Sequence, residues 1–91
     1  MKIVVYQRGF VAVGNDEREG PELILRNAAI VRRWGTTGKG LGWLATDGPT
    51  PETVADKAGT IRAHELAVVM ALDVSPAAEQ AWGRLLACLL A

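Results

Sequence analysis

The chain has 91 residues, enough for one small domain, and its formal net charge of zero argues against a general binder of long nucleic acid, which carries a basic excess. One cysteine, Cys88, allows no intrachain disulfide. No apolar run approaches the ~20 residues that span a bilayer, and the Met1–Arg8 start lacks the apolar stretch of a secretion signal, so a soluble cytoplasmic protein without a membrane partner is expected. Hydrophobic residues make up 49% of the chain. A domain this small buries only about 60–65% of its unfolded surface, so a homo-oligomer is the expected outlet for the surplus.

Ile3–Tyr6 and Phe10–Val13 are two short apolar runs, and Gln7-Arg8-Gly9 between them reads as the turn of an N-terminal β-hairpin. Asn15 to Pro21 is polar and acidic and reads as a solvated loop. Glu22–Arg26 and Ala28–Trp34 read as two strands, or as one bent strand with a break near Asn27. If the second is extended, Ile30, Arg32 and Trp34 share one face, and Ala29, Val31 and Arg33 the other. Leu41–Thr46 reads as one helical turn, ended by the turn signal Asp47-Gly48-Pro49. For Pro51–Ala58 a short helix and an extended segment are both open. Thr60–Val74 reads as one long strand bent near His64-Glu65, with a helix as the competing reading for Glu65–Leu72.

Ser75-Pro76 opens a helix, serine as cap and proline in the first position. Ala78, Trp82, Leu85 and Leu89 form its apolar stripe, and Ala81, Leu86, Cys88 and Leu90 widen it to nearly the whole circumference. The sheet is expected to take one side of this helix and another subunit the other. The whole is a single domain over residues 1–91: an α+β fold with a small antiparallel sheet, curled toward a barrel as one form of it, and a C-terminal helix.

The segment from Arg32 to Trp43 concentrates the features that recognise ligands. Four of the ten glycines fall in the eight positions between Trp34 and Trp43. Glycines let a backbone approach a ligand, threonines and free N–H groups hold an anion, and indoles stack on flat rings. From Leu23 to Thr46 there are four cations (Arg26, Arg32, Arg33, Lys39) and no acid. Such a patch on a neutral protein suits a small anion better than a long polyanion. The candidate ligand-binding residues are Arg32, Arg33, Trp34, Gly35, Thr36, Thr37 and Lys39, with Trp43, Arg62 and His64 as neighbours. Arg32, Arg33 and Arg62 could clamp a phosphate, since guanidinium binds it through two parallel hydrogen bonds. Each of these residues also has a plainer reading: solvated arginines, tryptophans packed in the core, an exposed histidine, a structural turn.

Two known phosphate loops are excluded. Gly38-Lys39 is followed by Gly40 and preceded, five positions earlier, by Arg33, so the P-loop pattern fails twice. Gly40, Gly42 and Ala45 match the dinucleotide fingerprint in spacing, but no βαβ unit surrounds them. No metal site is expected from a lone histidine and a cysteine in an apolar helix. No serine, threonine or cysteine has a recognisable base and orienting acid, so no catalytic residue is assigned and no cofactor is expected.

The order of several motifs resembles a family of small bacteriophage and prophage proteins. The matching elements are Met1-Lys2-Ile3-Val4-Val5 with Gln7-Arg8-Gly9, Asn27-Ala28-Ala29 leading to Arg32-Arg33-Trp34-Gly35-Thr36-Thr37, then Gly40-Leu41-Gly42, Gly48-Pro49-Thr50, Gly59-Thr60-Ile61-Arg62 and His64-Glu65-Leu66. The resemblance covers roughly Met1 to Asp73 and carries no catalytic residue across. It implies a phage setting, in which tiny proteins are often inhibitors, sequestering proteins or adaptors. The function expected is therefore non-catalytic binding of a small nucleotide-like anion, a sponge for a signal of bacterial defence. The alternative is a protein–protein inhibitor or assembly adaptor.

Overall fold

The computed structural model describes Met1 to Leu90. Its elements are β1 (Lys2–Tyr6), β2 (Val11–Glu19), β3 (Glu22–Arg33), α1 (Gly42–Thr46), β4 (Val54–His64), β5 (Val68–Asp73) and α2 (Pro76–Leu90), with single 3-10 turns at Gln7–Gly9 and Glu65–Ala67. The strands form one antiparallel sheet in the order β4-β3-β2-β1-β5. The α+β architecture read from the sequence is the one adopted.

The hairpin of β1 and β2 forms as expected, with Ile3 opposite Val13 and Val5 opposite Val11. The polar stretch after it does not stay a loop. Asn15–Glu19 continues β2 and pairs with Glu22–Arg26 across a two-residue turn at Gly20-Pro21. Its own side chains are exposed, so it shows no alternation of apolar and polar residues. The ladder to apolar β3 holds it, helped by ion pairs such as Arg26–Glu17. Glu22–Arg33 is the single bent strand: Asn27 takes a φ of 49° and the pairing slips between Leu25 and Ala28. Residues 51–53 form a turn and β4 starts at Val54, so the extended reading of that region is the right one.

The stretch read as one long bent strand, residues 60–74, belongs to two strands on opposite edges of the sheet. A three-residue turn can link the edges only because the sheet curls. The bend lies on one line across three strands: the slip between Val13 and Asn15 in β2, Asn27 in β3, and Gly59 with its φ of 74° opposite Ala28 in β4. Bulges concentrate twist and bend the strand that carries them. The far halves of β3 and β4 thus fold over the inner face, where Leu23, Leu25, Ile61 and Ala63 pack with Val4, Tyr6 and Ala12. Two hydrogen bonds hold the turn between β4 and β5 at its ends, Glu65 N–H to the Pro21 carbonyl (2.7 Å), continuing the β3–β4 ladder, and Gln7 Nε2 to the Leu66 carbonyl (3.1 Å) beside β1. The sheet is not closed into a barrel, because no ladder joins β4 to β5 among the described residues.

The outer face is covered by helices. Ile3, Val11, Val13, Ala29 and Val31 pack against Leu44 and Ala45 of α1 and Ala78, Trp82 and Leu86 of α2. Trp82 is fully buried and its indole N–H donates to the Leu44 carbonyl at 2.8 Å, which ties the two helices together. Ser75 caps α2 as read: its Oγ accepts from Ala78 N–H at 3.1 Å. Only one side of α2 is buried within the chain. Cys88, read as part of the helix's apolar circumference, is exposed on the other side with Ala77, Gly83, Arg84 and Ala87. The step of four from Ala78 through Trp82 leads to Leu86 and places Cys88 away from the sheet; the side chain of Leu90 lies outside the described residues. Among the described residues, no helix is long and apolar enough to cross a membrane.

Candidate functional site

The end of β3 delivers Arg32 and Arg33, both exposed. The acid-free stretch does not remain acid-free in space. β4 lies beside β3 with Asp56 opposite Ile30, and Asp56 takes a forked pair of hydrogen bonds from Arg32, Nε to Oδ2 at 2.9 Å and Nη2 to Oδ1 at 3.3 Å. Glu17 of β2 accepts a single hydrogen bond from Arg26 Nε. Of the four cations between Leu23 and Thr46, Arg33 and Lys39 form no ion pair among the described residues. Lys39 instead places its ammonium over the Trp43 ring, 4.6 Å from the centroid. Trp43 is half-buried, while Trp34 is 43% exposed and so not a core residue.

The glycine segment is closed on itself rather than open as a cradle. The Lys39 and Gly40 amides both donate to the Thr36 carbonyl, at 2.8 and 3.2 Å, and Thr36 is buried. The turn at residues 50–53 stitches the start of the segment in place. Thr50 Oγ1 donates to the Gly35 carbonyl at 2.6 Å and Thr53 Oγ1 to the Trp34 carbonyl at 2.7 Å. Gly35 has a φ of 69°, and a Cβ there would stand 2.4 Å from the Glu52 carbonyl carbon. Its glycine is thus required by backbone packed on backbone, with no ligand needed to explain it. The tip, Thr37 to Gly40, is exposed.

Two of the candidates lie elsewhere. Arg62 stands opposite Ile24, eight residues along β3 from Arg32, and meets Glu19 and Glu22 at 3.5 and 3.6 Å. His64 stands opposite Glu22, and its Nδ1 accepts from Leu66 N–H at 3.1 Å, capping the 3-10 turn. Both belong to the half of β4 beyond the bend. Arg32, Arg33 and Arg62 therefore do not converge into a clamp, and His64 has neither Asp56 nor the glycine segment beside it.

The structure brings Arg32 together with residues the sequence did not single out. A cleft of about 380 Å³ opens between the β1–β2 turn and the β3–β4 ladder, lined by Arg8, Gly9, Phe10, Val11, Ile30, Val31, Arg32 and Asp56. Its walls are mainly apolar, and its charged groups are two guanidiniums and one carboxylate. Arg8 holds a φ of 68°, which a side-chain-bearing residue rarely adopts, so the tight turn fixes where this arginine leaves the backbone. It forms no ion pair among the described residues. The sequence signal was the Gln7-Arg8-Gly9 turn itself, but that turn says nothing of Asp56 or Ile30, which reach it only across the sheet.

Just before the turn, Tyr6 is buried, and its hydroxyl is the one buried side-chain polar atom without a hydrogen-bond partner among the described residues. Burial pushes this phenol above its ordinary pKa. Among the described residues no group of three or more His, Cys, Asp or Glu side chains converges. Comparison of the sequence with protein-family models and with curated proteins finds no match.

Proposed function

We propose that the chain is a non-catalytic binding protein for a small phosphorylated, nucleotide-like ligand, acting by sequestration in a bacterial cytoplasm during phage infection. The observation that carries the reading is the cleft between Arg8 and Arg32, whose volume of about 380 Å³ lies in the range of small-molecule sites. It pairs apolar walls with few charged groups, the usual division of labour between affinity and orientation. The resemblance of the Arg32–Thr37 string to phage proteins supports the setting, not the ligand. Titration calorimetry against mono-, di- and cyclic nucleotides tests the proposal. Saturable binding to at least one class, with the ligand recovered intact after prolonged incubation, is the expected result. Silence across the panel rejects binding, and a converted ligand rejects the non-catalytic part.

A second reading rests on a different surface. Leu66, Val69 and Met70 are exposed along the β4–β5 turn and the edge strand β5, with Leu66 79% accessible, and Phe10 is exposed on the β1–β2 turn. Exposed apolar side chains along an unpaired sheet edge suit pairing with another chain. This arrangement favours a protein–protein module or a homo-oligomer held through β5 rather than through the outer side of α2. Light scattering at micromolar concentration decides the oligomer: a mass near the 9.7 kDa of one chain refutes it. If the mass is larger, a Val69→Lys/Met70→Lys double variant should restore the monomer.

A further inference from the structure

We infer that the cleft selects a ligand with one ring and one phosphate, the nucleoside monophosphate class, over di- and triphosphates and over dinucleotides. This rests on the binding reading above and concerns the same cleft. The charge inventory decides the phosphate count. The cleft holds two guanidiniums and one carboxylate, and Arg32 already has its fork on Asp56. Arg8 is the guanidinium left to receive an anion, and its single fork can hold two oxygens of one phosphate group. A second phosphate would lie against Asp56 or would have to take Arg32 from it, and either arrangement sets like charges together or leaves a carboxylate without its partner. Lys57, which forms no ion pair among the described residues, stands opposite Ala29, a position that points away from the face shared by Ile30 and Asp56, and it is not among the lining residues.

The apolar walls and the carboxylate decide the rest of the ligand. Phe10 is 60% exposed at the rim and the half-buried Ile30 also lines the cleft, so these two side chains supply the apolar surface a planar partner would meet; Val11 is itself buried under the helices. A carboxylate only accepts, and it has lone pairs beyond the two given to Arg32, so Asp56 favours a ring or sugar carrying an N–H or O–H donor. The volume of about 380 Å³ stands near the lower end of small-molecule sites and is enough for one nucleotide.

The test is calorimetry on the full chain with adenosine and guanosine mono-, di- and triphosphates, the parent nucleosides, inorganic phosphate and a cyclic dinucleotide. The expected result is tightest binding for a monophosphate, with its nucleoside and inorganic phosphate each at least tenfold weaker. Two variants sharpen it. Arg8→Asn keeps a residue that tolerates the left-handed backbone and should weaken the monophosphate at least tenfold. Asp56→Asn frees Arg32 and should strengthen the triphosphate more than the monophosphate, so that the preference for one phosphate narrows or inverts, a change of ratio that damage to the fold cannot produce. Tighter binding of a triphosphate or dinucleotide by the unaltered chain, lost in Arg8→Asn, overturns the selectivity and leaves the binding reading standing. No binding of any member overturns both.

Discussion

The glycine segment from Trp34 to Trp43 and the turn from Gln7 to Phe10 are built from similar materials: a cation beside glycine (Lys39 in one, Arg8 in the other), positive φ angles and a neighbouring aromatic ring. They differ in where their polar groups go. In the glycine segment the backbone is consumed, with Thr36 accepting two amides and the Thr50 and Thr53 hydroxyls holding the Gly35 and Trp34 carbonyls. In the turn the side chains are left over, Arg8 unpaired and Phe10 exposed, and both line the cleft. Glycine density marks where a backbone must be permissive, and the need comes as readily from the protein's own packing as from a ligand. The comparison predicts that changes in the first region act on stability and changes in the second on binding.

Gly35→Ala should show the largest effect, because the new Cβ meets the 52–53 backbone and the φ of 69° is adverse to any side chain. A loss of about 3 kcal/mol or more is expected in denaturant unfolding. A variant as stable as the parent would break the comparison. Thr53→Val removes the donor to the Trp34 carbonyl and the acceptor of the Thr50 amide and should cost about 1–2 kcal/mol by the same measurement.

Tyr6→Phe should leave the protein as stable or more stable, by up to about 1 kcal/mol, since its buried hydroxyl has no partner. The pH dependence follows from its raised phenol pKa. The unfolded chain ionises first, so stability is full below the ordinary value of 10.0 and falls as pH rises from there toward the folded value. Thermal melts from pH 8 to 11 should show that fall steepen in the parent and flatten in the Phe variant. Arg8→Asn should be the mildest for stability, within about 0.5 kcal/mol of the parent, as an exposed residue without an ion pair. Equal unfolding midpoints with lost ligand binding would be the sharpest support for the contrast between the two turns.

Much of the fold was legible because its signals are local. The β1–β2 hairpin follows from two apolar runs around a turn, α2 from a serine cap and a proline, α1 from a single helical turn before Asp47-Gly48-Pro49. The polar end of β2 was not legible, because its pairing is set by the apolar strand beside it and its own residues carry no alternation. Nor was the placement of β4 and β5 on opposite edges, which depends on three bulges in three strands acting together.

The same division runs through the site. The sequence by itself determined the α+β fold class, a capped terminal helix with Trp82 in its buried stripe, and a permissive backbone near Gly35. Each depends on dihedral preference, capping or periodicity within a few residues. Only the tertiary structure decided that Arg32 is held by Asp56, 24 residues away, that Arg62 and His64 belong to the other half of the sheet, and that Arg8 and Phe10 face Ile30 across a cleft. Charges and rings meet through strand register and the bend of the sheet, and neither is written in the neighbours of any one residue.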